Sequence, residues 1–374
     1  MHVNWVIVGA GFTGCTLAER IATQLNQKVL LIDRRPHIGG NAYDHYNEHG
    51  VLVHRYGPHI FHTNSRKVWE YLSAFTEWRP YYHHVLGVVD GKQVPVPFNL
   101  NSLYALFPPR YAAQLEEQLL AGYGYGVKVP ILKMRESDNA SLRFLAGYIY
   151  DNIFLHYTRK QWELDPDQLD PGVTGRVPVY ISRDDRYFQD TWQAMPREGY
   201  TALFQRMLNH KNIRVLLNAD WSEIDGEVRY DRMIYTGPID TFFGYTHGDL
   251  AYRSLRFDFR TVDSEWHQPC GTVNYPNEHD FTRITEQKYL TGQTVPKSTI
   301  VVEYPQAYKR GENEPYYPIP RPDNREHYDK YRREADALNG KVLFAGRLAD
   351  YKYYNMDQAV ARALKMFEDE VAPQ

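Results

Sequence analysis

The residues Trp5-Val6-Ile7-Val8-Gly9-Ala10-Gly11-Phe12-Thr13-Gly14 join a short β-branched apolar run to a GxGxxG pattern. Apolar residues at helical spacing follow from 15 to 22, and a second apolar run, 29–32, ends in Asp33, 19 positions after Gly14. This order predicts a strand, a glycine turn, a helix and a second buried strand. The glycines let the backbone approach a pyrophosphate, the helix N-terminus attracts its charge, and the acid accepts from ribose hydroxyls. The stretch therefore predicts a dinucleotide site.

A second glycine-rich turn, Gly39-Gly40-Asn41, follows shortly after this acid and bears on which dinucleotide binds. An NAD domain has no evident need for it, whereas FAD is longer and its second half must pass backbone amides that approach closely only at glycine. Residues 341–347 predict a buried strand ending at Gly346, followed by a helix from about 357 to 370, and residues 231–238 predict a strand and a Thr-Gly pair ending at Gly237. Three separated stretches thus predict one discontinuous, Rossmann-like FAD-binding domain.

The composition is that of a folded protein with two or three structural domains, since 374 residues with 43% hydrophobic and 24% charged positions exclude a disordered or fibrous chain. A net charge of −3 offers no basic field for nucleic acid. The two isolated cysteines indicate neither a disulfide framework nor a zinc site, and no metal cluster motif is present. With no signal peptide or membrane-length apolar run, the sequence favours a cytoplasmic protein.

The middle of the chain has a different pattern of apolar residues. Residues 104–118 and 142–157 show apolar positions at helix-like intervals, which predicts a small helical insert. Between about 245 and 304 the chain alternates apolar and polar residues, as antiparallel strands with one solvent-exposed face do. The fold class predicted is α/β, a Rossmann-like FAD domain with a helical domain and an antiparallel sheet domain. The 31 tyrosines suit the binding of a sugar, base or phosphate.

Several separate motifs, in order along the chain, resemble the bacterial UDP-galactopyranose mutases. They are 56–63 (YGPHIFHT), 157–162 (YTRKQW), 281–284 (FTRI), 314–318 (EPYYP) and 346–354 (GRLADYKYY). The resemblance implies a flavin-dependent isomerase in three parts, typically a homodimer. These are an FAD domain (1–80, 200–240 and 335–374), a helical domain (100–165, with a mobile loop to about 185) and a sheet domain (81–99, 186–199 and 241–334).

The resemblance also implies roles for individual residues. Arg176 and Arg283 would clamp the diphosphate of a UDP-sugar, with Arg176 on the mobile loop, while His62 would lie near the flavin ring and the sugar. The remaining substrate-binding residues implied are Phe154, Tyr157, Thr158, Trp162, Tyr187, Tyr317, Tyr353, His84 and Asn355. Those implied for the cofactor are Gly9, Gly11, Phe12, Thr13, Gly14, Asp33, Arg34, Gly39, Gly40, Asn41, His59, Ile60, Gly237, Gly346, Arg347, Tyr353, Asn355 and Met356.

The implied reaction interconverts UDP-galactopyranose and UDP-galactofuranose through a covalent adduct between the anomeric carbon and N5 of reduced FAD, supplying galactofuranose for cell-surface polysaccharide. Two departures bear on the sugar: Asn355 stands where the family usually has aspartate, and His84 where asparagine is common. A relative acting on the N-acetyl sugar would be expected to carry arginine at position 62, so His62 favours plain galactose. Alternatives are a mutase for N-acetylgalactose or a deoxysugar nucleotide, an amine-oxidase-like flavin oxidase, and a non-catalytic nucleotide-binding module.

Overall fold

The computed structural model describes residues 2–169 and 177–372. The chain divides into two compact units, each built from separated stretches. The first unit comprises Met1–Tyr81, Asp190–Tyr252 and Arg310–Gln374, and the second comprises Tyr82–Gln189 and Arg253–Lys309. Within the described ranges, no helix is both long enough and apolar enough to cross a lipid bilayer.

The strands are, in chain order, β1 (His2–Val8), β2 (Val29–Asp33), β3 (Asp44–Tyr46), β4 (Leu52–His54), β5 (Phe61–Thr63), β6 (Trp78–Pro80), β7 (Val85–Val89), β8 (Lys92–Val96), β9 (Lys128–Val129), β10 (Val179–Tyr180), β11 (Trp192–Pro196), β12 (Ile213–Leu217), β13 (Arg229–Tyr235), β14 (Tyr252–Val262), β15 (Thr272–Asn274), β16 (Arg283–Glu286), β17 (Ser298–Ala307), β18 (Tyr317–Pro318) and β19 (Val342–Phe344).

The α-helices are α1 (Phe12–Gln24), α2 (Arg66–Ser73), α3 (Leu100–Leu106), α4 (Pro109–Tyr123), α5 (Ile131–Arg135), α6 (Ala140–Ile149), α7 (His156–Trp162), α8 (Tyr200–Leu208), α9 (Trp221–Ile224), α10 (Ile239–Phe242), α11 (Gln287–Thr291), α12 (Pro322–Ala337) and α13 (Met356–Met366). One π-helical turn, Tyr150–Leu155, joins α6 to α7, and another, Phe367–Val371, follows α13. Single 3₁₀ turns lie at Gly40–Ala42 and Pro166–Gln168.

The first unit contains a five-stranded parallel sheet in the order β12-β2-β1-β13-β19. Its central strand β1 is paired on both sides, so that Val8 lies opposite Ile32 of β2 and Tyr235 of β13. All five residues of β2 are buried, which explains its unbroken apolar sequence, because a parallel strand is covered on both faces. The predicted Rossmann-like domain is therefore confirmed, including the contribution of the distant C-terminal strand β19.

The helical part of the second unit surrounds a core that includes Leu115, Leu145 and Ile149. The stretch 104–118, where the spacing predicted helix, contains parts of two helices, α3 and α4, with a break at Phe107-Pro108. The reason is local: the residue before a proline avoids helical dihedrals, and Phe107 is extended at ψ 153°. A new helix then begins at Pro109, where the missing N–H costs nothing.

The sheet of the second unit contains the run β14-β17-β16-β15-β7-β8. Its pairs are antiparallel except for β15 with β7, which are parallel. The alternating pattern between 245 and 304 thus corresponds to β14–β17, and the predicted antiparallel sheet is confirmed. Residues 190–199, 241–252 and 310–334, which were predicted to belong to the sheet domain, lie in the first unit. The division of the second unit into a helical and a sheet domain stays a prediction.

Candidate functional site

The glycine turn after β1 has two glycines that the fold itself requires. Gly9 has φ +105°, and a Cβ there would lie 2.0 Å from Oγ1 of Thr236, which is the residue before Gly237. A Cβ on Gly14 would lie 1.9 Å from the carbonyl oxygen of Gly9. Gly11 differs, because the atom nearest to its Cβ position is Cα of Gly40, at 3.8 Å. The protein's own atoms therefore leave room at Gly11 for an approaching ligand.

The second glycine turn packs against the first. Gly39 and Gly40 both have positive φ, at +93° and +55°, and the Gly39 amide donates to the carbonyl of Ala10 over 2.7 Å. A Cβ on Gly40 would lie 2.9 Å from Cα of Gly11, so the close approach of the two turns needs glycine. The two glycine-rich segments predicted from the sequence thus pack together into one backbone cradle.

Asp33 lies at the end of β2 and supports this cradle. Its Oδ2 accepts from the Ala10 amide over 2.8 Å, and its Oδ1 accepts from the Arg35 amide over 2.9 Å. Arg35 in turn donates to Oδ1 of Asn41 over 2.9 Å. Arg34 forms an exposed ion pair with Glu314. The carboxylate therefore fixes the glycine turn on one side.

A cluster of one arginine and two tyrosines, the Arg347 cluster, lies in the same unit. The Tyr317 and Tyr353 rings meet edge to face at 4.9 Å. The Arg347 guanidinium lies 5.4 Å from the Tyr317 ring centre and 5.6 Å from that of Tyr353, and its Nη2 donates to the carbonyl of Tyr354 over 2.6 Å. Arg347 follows Gly346, whose φ of +111° lets the chain turn out of β19. Three predicted site residues are thereby brought together.

Asn355 is the N-cap of α13, and this explains locally why it can replace an aspartate. Its side chain accepts a backbone hydrogen bond from the first turn, while Oε1 of Gln358 accepts from the Asn355 amide over 2.9 Å. Asparagine and aspartate are equally good N-caps. Met356 is the first residue of the helix, and Asp357 accepts from Oγ1 of Thr63 over 2.9 Å. The charge at position 357 is therefore engaged with the strand that carries His62.

His62 lies on β5 and is held by a residue that the sequence analysis missed. Its Nδ1 is 2.9 Å from Oδ2 of Asp190, and the two side chains are only 14% and 24% exposed. Nearby, His59 donates its amide over 3.1 Å to Nδ1 of His54, and Ile60 precedes β5. Burial lowers the pKa of His54 to about 4, so this imidazole is neutral and can accept. No sequence motif marks Asp190, since it lies 128 positions from its partner.

In the second unit, one face of a continuous helix carries three of the residues predicted for the substrate. Phe154, Thr158 and Trp162 follow one another at intervals of four, so they share a face of the segment that includes the π turn and α7. Tyr157 lies one position from this face, and both Phe154 and Trp162 are buried. π-helical turns occur often at functional sites, because they shift the register of one helix face.

Two basic residues that the sequence analysis missed fix the C-terminal end of this helix. The buried Arg253 donates from Nε to the carbonyl of Gln161 over 3.0 Å and pairs with Glu163 at 2.7 Å. Lys160 donates to three backbone carbonyls, those of Tyr275, His279 and Phe281, at 2.6, 2.7 and 3.2 Å. Burial lowers the pKa of Lys160 to about 8. Lys160 thus ties α7 to the loop that leads into β16.

Arg283 opens β16 and is fixed by a buried acid. Glu303 of β17 lies directly opposite it in the sheet, and both Nε and Nη2 of Arg283 donate to the same oxygen, Oε2, at 3.0 and 2.8 Å. The Glu303 side chain is 3% exposed and that of Arg283 is 26% exposed. This pairing orients one edge of the guanidinium and gives the permanent charge a defined position.

The other predicted substrate residues also lie in the second unit. Tyr187 donates its amide to the carbonyl of His83 over 2.7 Å. His84 is exposed and its Nδ1 donates to the Tyr82 carbonyl over 2.8 Å, so no buried contact fixes the imidazole in place of the family's asparagine. Arg176 lies outside the described residues. The predicted residues thus fall into two sets, a dinucleotide cradle with His62 and the Arg347 cluster in one unit, and an aromatic helix face with Arg283 in the other.

A parallel sheet with a glycine cradle at its mouth defines a dinucleotide-binding enzyme of the flavoprotein Rossmann type, and a profile for NAD(P)-binding Rossmann-like domains matches residues 7–75. A profile for UDP-galactopyranose mutase, GLF, matches residues 152–353. The chain belongs to the UDP-galactopyranose mutase family. As a member of that family it is an isomerase.

Relatives of the chain cover nearly its full length. It is 36% identical over 370 residues to the probable UDP-galactopyranose mutase of Klebsiella pneumoniae, covering 98% of this chain and 94% of that protein. It is 33% identical over 367 residues to the dTDP-fucopyranose mutase of Escherichia coli, covering 96% of each. The crystal structure of a reduced UDP-galactopyranose mutase is similar with a TM-score of 0.74 and 16% identity, covering 100% of this chain and 95% of that one, which shows the shared fold.

Proposed function

We propose that this protein interconverts UDP-galactopyranose and UDP-galactofuranose, with FAD as its cofactor. The observation that carries the proposal is the Arg347 cluster. In it the side chains of Tyr317, Tyr353 and Arg347, which come from separate stretches of the chain, lie together in the unit that contains the glycine cradle. These residue types at these positions match the family's diphosphate and cofactor contacts. A cytoplasmic homodimer that supplies galactofuranose for cell-surface polysaccharide is part of the proposal and rests on the family resemblance alone.

The residues present fit FAD. The room at Gly11 is what a pyrophosphate needs, and the close packing of Gly40 on Gly11 presents backbone from both turns to one ligand. Asp33 supplies an acceptor for ribose hydroxyls, and Arg347 supplies a cation for the far end of the cofactor. Reduced FAD would supply the nucleophile, its N5 nitrogen, for exchange at the anomeric carbon without net oxidation of the sugar.

The side chains of the second unit would bind and activate the UDP part of the substrate. Tyr157 would stack on the uracil, Phe154 and Thr158 would lie beside it on the uridine side, and Trp162 would line the sugar end. Arg283, joined by Arg176, would neutralise the diphosphate as the bond to the anomeric carbon breaks, which stabilises UDP as a leaving group. The family resemblance further implies that the hydroxyls of Tyr187 and, from the first unit, of Tyr317 and Tyr353 would donate to the diphosphate. His62 would orient the sugar.

A second candidate is the same reaction on a related nucleotide sugar. It is favoured by the relative named a dTDP-fucopyranose mutase, whose identity to this chain is within a few per cent of that of the Klebsiella protein. Asn355 and His84, the two departures from the family pattern, bear on which sugar is accepted. Both candidates therefore use one mechanism and differ in the sugar and base accepted.

The test is a conversion assay on the purified flavoprotein. Its flavin is reduced with dithionite, UDP-galactofuranose or dTDP-fucofuranose is added, and the pyranose formed is measured by chromatography beside an oxidised control. We expect conversion of the UDP-sugar in the reduced sample only. Arg283→Ala should abolish it while FAD stays bound, whereas the matched control Arg260→Ala, an exposed arginine of the same sheet paired with Asp258, should not. Conversion of the dTDP-sugar alone would establish the second candidate instead.

A further inference from the structure

A chain of three polar side chains leads to the imidazole of His62. Its Nδ1 lies 2.9 Å from Oδ2 of Asp190, and the other carboxylate oxygen, Oδ1, is 2.7 Å from Nδ2 of Asn64. Oδ1 of Asn64 accepts from the backbone amide and the hydroxyl of Thr191, at 2.9 and 3.0 Å. These contacts lie within the first unit and none of them was signalled by a sequence motif.

The chemistry of the groups fixes the direction of every hydrogen bond in this chain. The Thr191 amide can only donate, so the oxygen of Asn64 must face it and the NH₂ of Asn64 must face Asp190. An ionised carboxylate can only accept, so Asp190 accepts from Asn64 on one oxygen and from His62 on the other. The proton of a neutral His62 therefore lies on Nδ1, and its lone pair lies on Nε2.

We propose that Asp190 is a positioning residue for the mutase reaction, which holds His62 in the tautomer whose Nε2 accepts a hydrogen bond from a sugar hydroxyl. The inference rests on the proposed function, in which His62 lies near the sugar. A hydroxyl oriented by a fixed acceptor presents its oxygen in a defined direction, and orientation of this kind contributes to the rate only while the acceptor keeps its lone pair.

The variant Asp190→Asn tests this assignment because the network predicts which way the new amide must turn. Asn64 still presents its NH₂ to position 190, so the oxygen of the new amide must accept there. Its NH₂ then faces Nδ1 of His62 and donates to it. The proton of His62 is thereby moved to Nε2, which becomes a donor and can no longer accept from a sugar hydroxyl.

The double variant Asn64→Asp with Asp190→Asn should reverse this change. A carboxylate at position 64 accepts from Thr191 on one oxygen and from the NH₂ of the new amide on the other. The amide oxygen at position 190 then faces His62 and accepts from Nδ1 again. The double variant has the same net charge as the wild type, because one carboxylate is gained at position 64 and one is lost at position 190. Comparing it with the single variant therefore separates the effect of the His62 tautomer from the effect of net charge.

The measurement is long-range ¹H–¹⁵N correlation on ¹⁵N-histidine-labelled holoenzyme, which distinguishes the two neutral tautomers, with the His62 signal assigned by its loss in His62→Gln. We expect Nδ1–H in the wild type, Nε2–H in Asp190→Asn and Nδ1–H in the double variant. In the same samples kcat should fall at least about tenfold in the single variant and recover in the double variant, with UDP affinity and FAD content unchanged. Asp231→Asn, which alters an exposed pair with His2, is the matched control and should change neither readout.

The spectra and the kinetics each test a different part of the proposal. Nε2–H in the wild-type holoenzyme, or Nδ1–H in Asp190→Asn, would overturn the assignment even if a variant were too unstable for kinetics, since the wild-type spectrum stands alone. The predicted switch with unchanged kcat would overturn the positioning role. Absence of mutase activity in the wild type with every sugar would instead refute the proposed function, while the tautomer result would still stand as a property of the network.

Discussion

Replacing Gly14 by alanine should damage the fold of the first unit, while the same change at Gly11 should damage only cofactor binding. At Gly14 the new methyl would lie 1.9 Å from the Gly9 carbonyl oxygen, where ordinary contact begins at 3.4 Å. The atom it meets is backbone, so the turn must move. Overpacking against backbone lies at the upper end of the usual range, about 3 kcal/mol, and alanine's preference for the helix offsets about 1 kcal/mol, so the net loss should be about 2 kcal/mol.

At Gly11 the geometry predicts a small loss of stability and a large loss of FAD affinity. Its φ of −84° is one that alanine adopts readily, and the nearest atom to the methyl would be 3.8 Å away. The loss of stability should be under about 1 kcal/mol, the cost of alanine in place of glycine at an N-cap. The methyl would, however, fill the cradle that the pyrophosphate needs. FAD affinity should fall at least tenfold, or about 1.4 kcal/mol.

The assay takes protein stripped of FAD and measures thermal unfolding by circular dichroism, then FAD binding by flavin fluorescence. For a domain of this size 1 kcal/mol corresponds to about 2–4 °C, so Gly14→Ala should lower Tm by about 4–8 °C and Gly11→Ala by no more than about 4 °C. Gly147→Ala, inside α6 with no atom within 4 Å of the new methyl, is the control: it should leave FAD affinity unchanged and raise Tm by about 2–4 °C, because alanine favours the helix. Wild-type FAD affinity in Gly11→Ala would refute the reasoning.

Three further expectations concern other parts of the molecule. UDP should quench the fluorescence of Trp162, so Trp162→Phe should lose the response and the exposed Trp266→Phe should keep it, as a titration would reveal. Lys160→Met leaves three carbonyls without their donor and should lower the free energy of unfolding in urea by about 1–3 kcal/mol; an unchanged midpoint would contradict this. The pKa of His54 is about 4 in the folded protein and 6.5 in an unperturbed chain, so the unfolded state binds the extra proton and stability falls by about 3 kcal/mol as the pH drops through that window. His54→Asn, which can still accept from the His59 amide, should flatten the slope in urea unfolding at several pH values.

The Rossmann-like sheet was predictable because its signals are local. A strand buried on both faces reads as an unbroken apolar run, and the turn after β1 needs glycine at 9 and 14 for reasons contained within a few residues. The break between α3 and α4 was equally local, but the apolar spacing across Pro108 concealed it. The spacing of apolar residues indicates which face of a helix is buried, but it does not reveal a break at which the chain changes direction between two helices.

The residues that hold the predicted site residues in place were not predictable, because a contact between residues far apart in the chain produces no motif in the sequence. Asp190 and Glu303 hold His62 and Arg283, yet each is an ordinary acid in its own sequence neighbourhood. Arg253 reads as one residue of an alternating strand, and only the structure shows it capping α7. The residues proposed to contact ligands were recognisable from the family's motifs, whereas the residues that orient them follow from the pairing of strands.

The order of strands in the parallel sheet has a consequence for the synthesis of the protein. Its centre, β1 and β2, leaves the ribosome first, but β12 and β13 follow some 180 residues later and the edge strand β19 only at residue 342. Every residue of the second unit has by then been made, since that unit ends at Lys309. Because domains generally fold as units during translation, the unit whose sequence starts last is able to finish first. A nascent chain stalled before β19 would carry an intact glycine motif and an incomplete sheet beneath it.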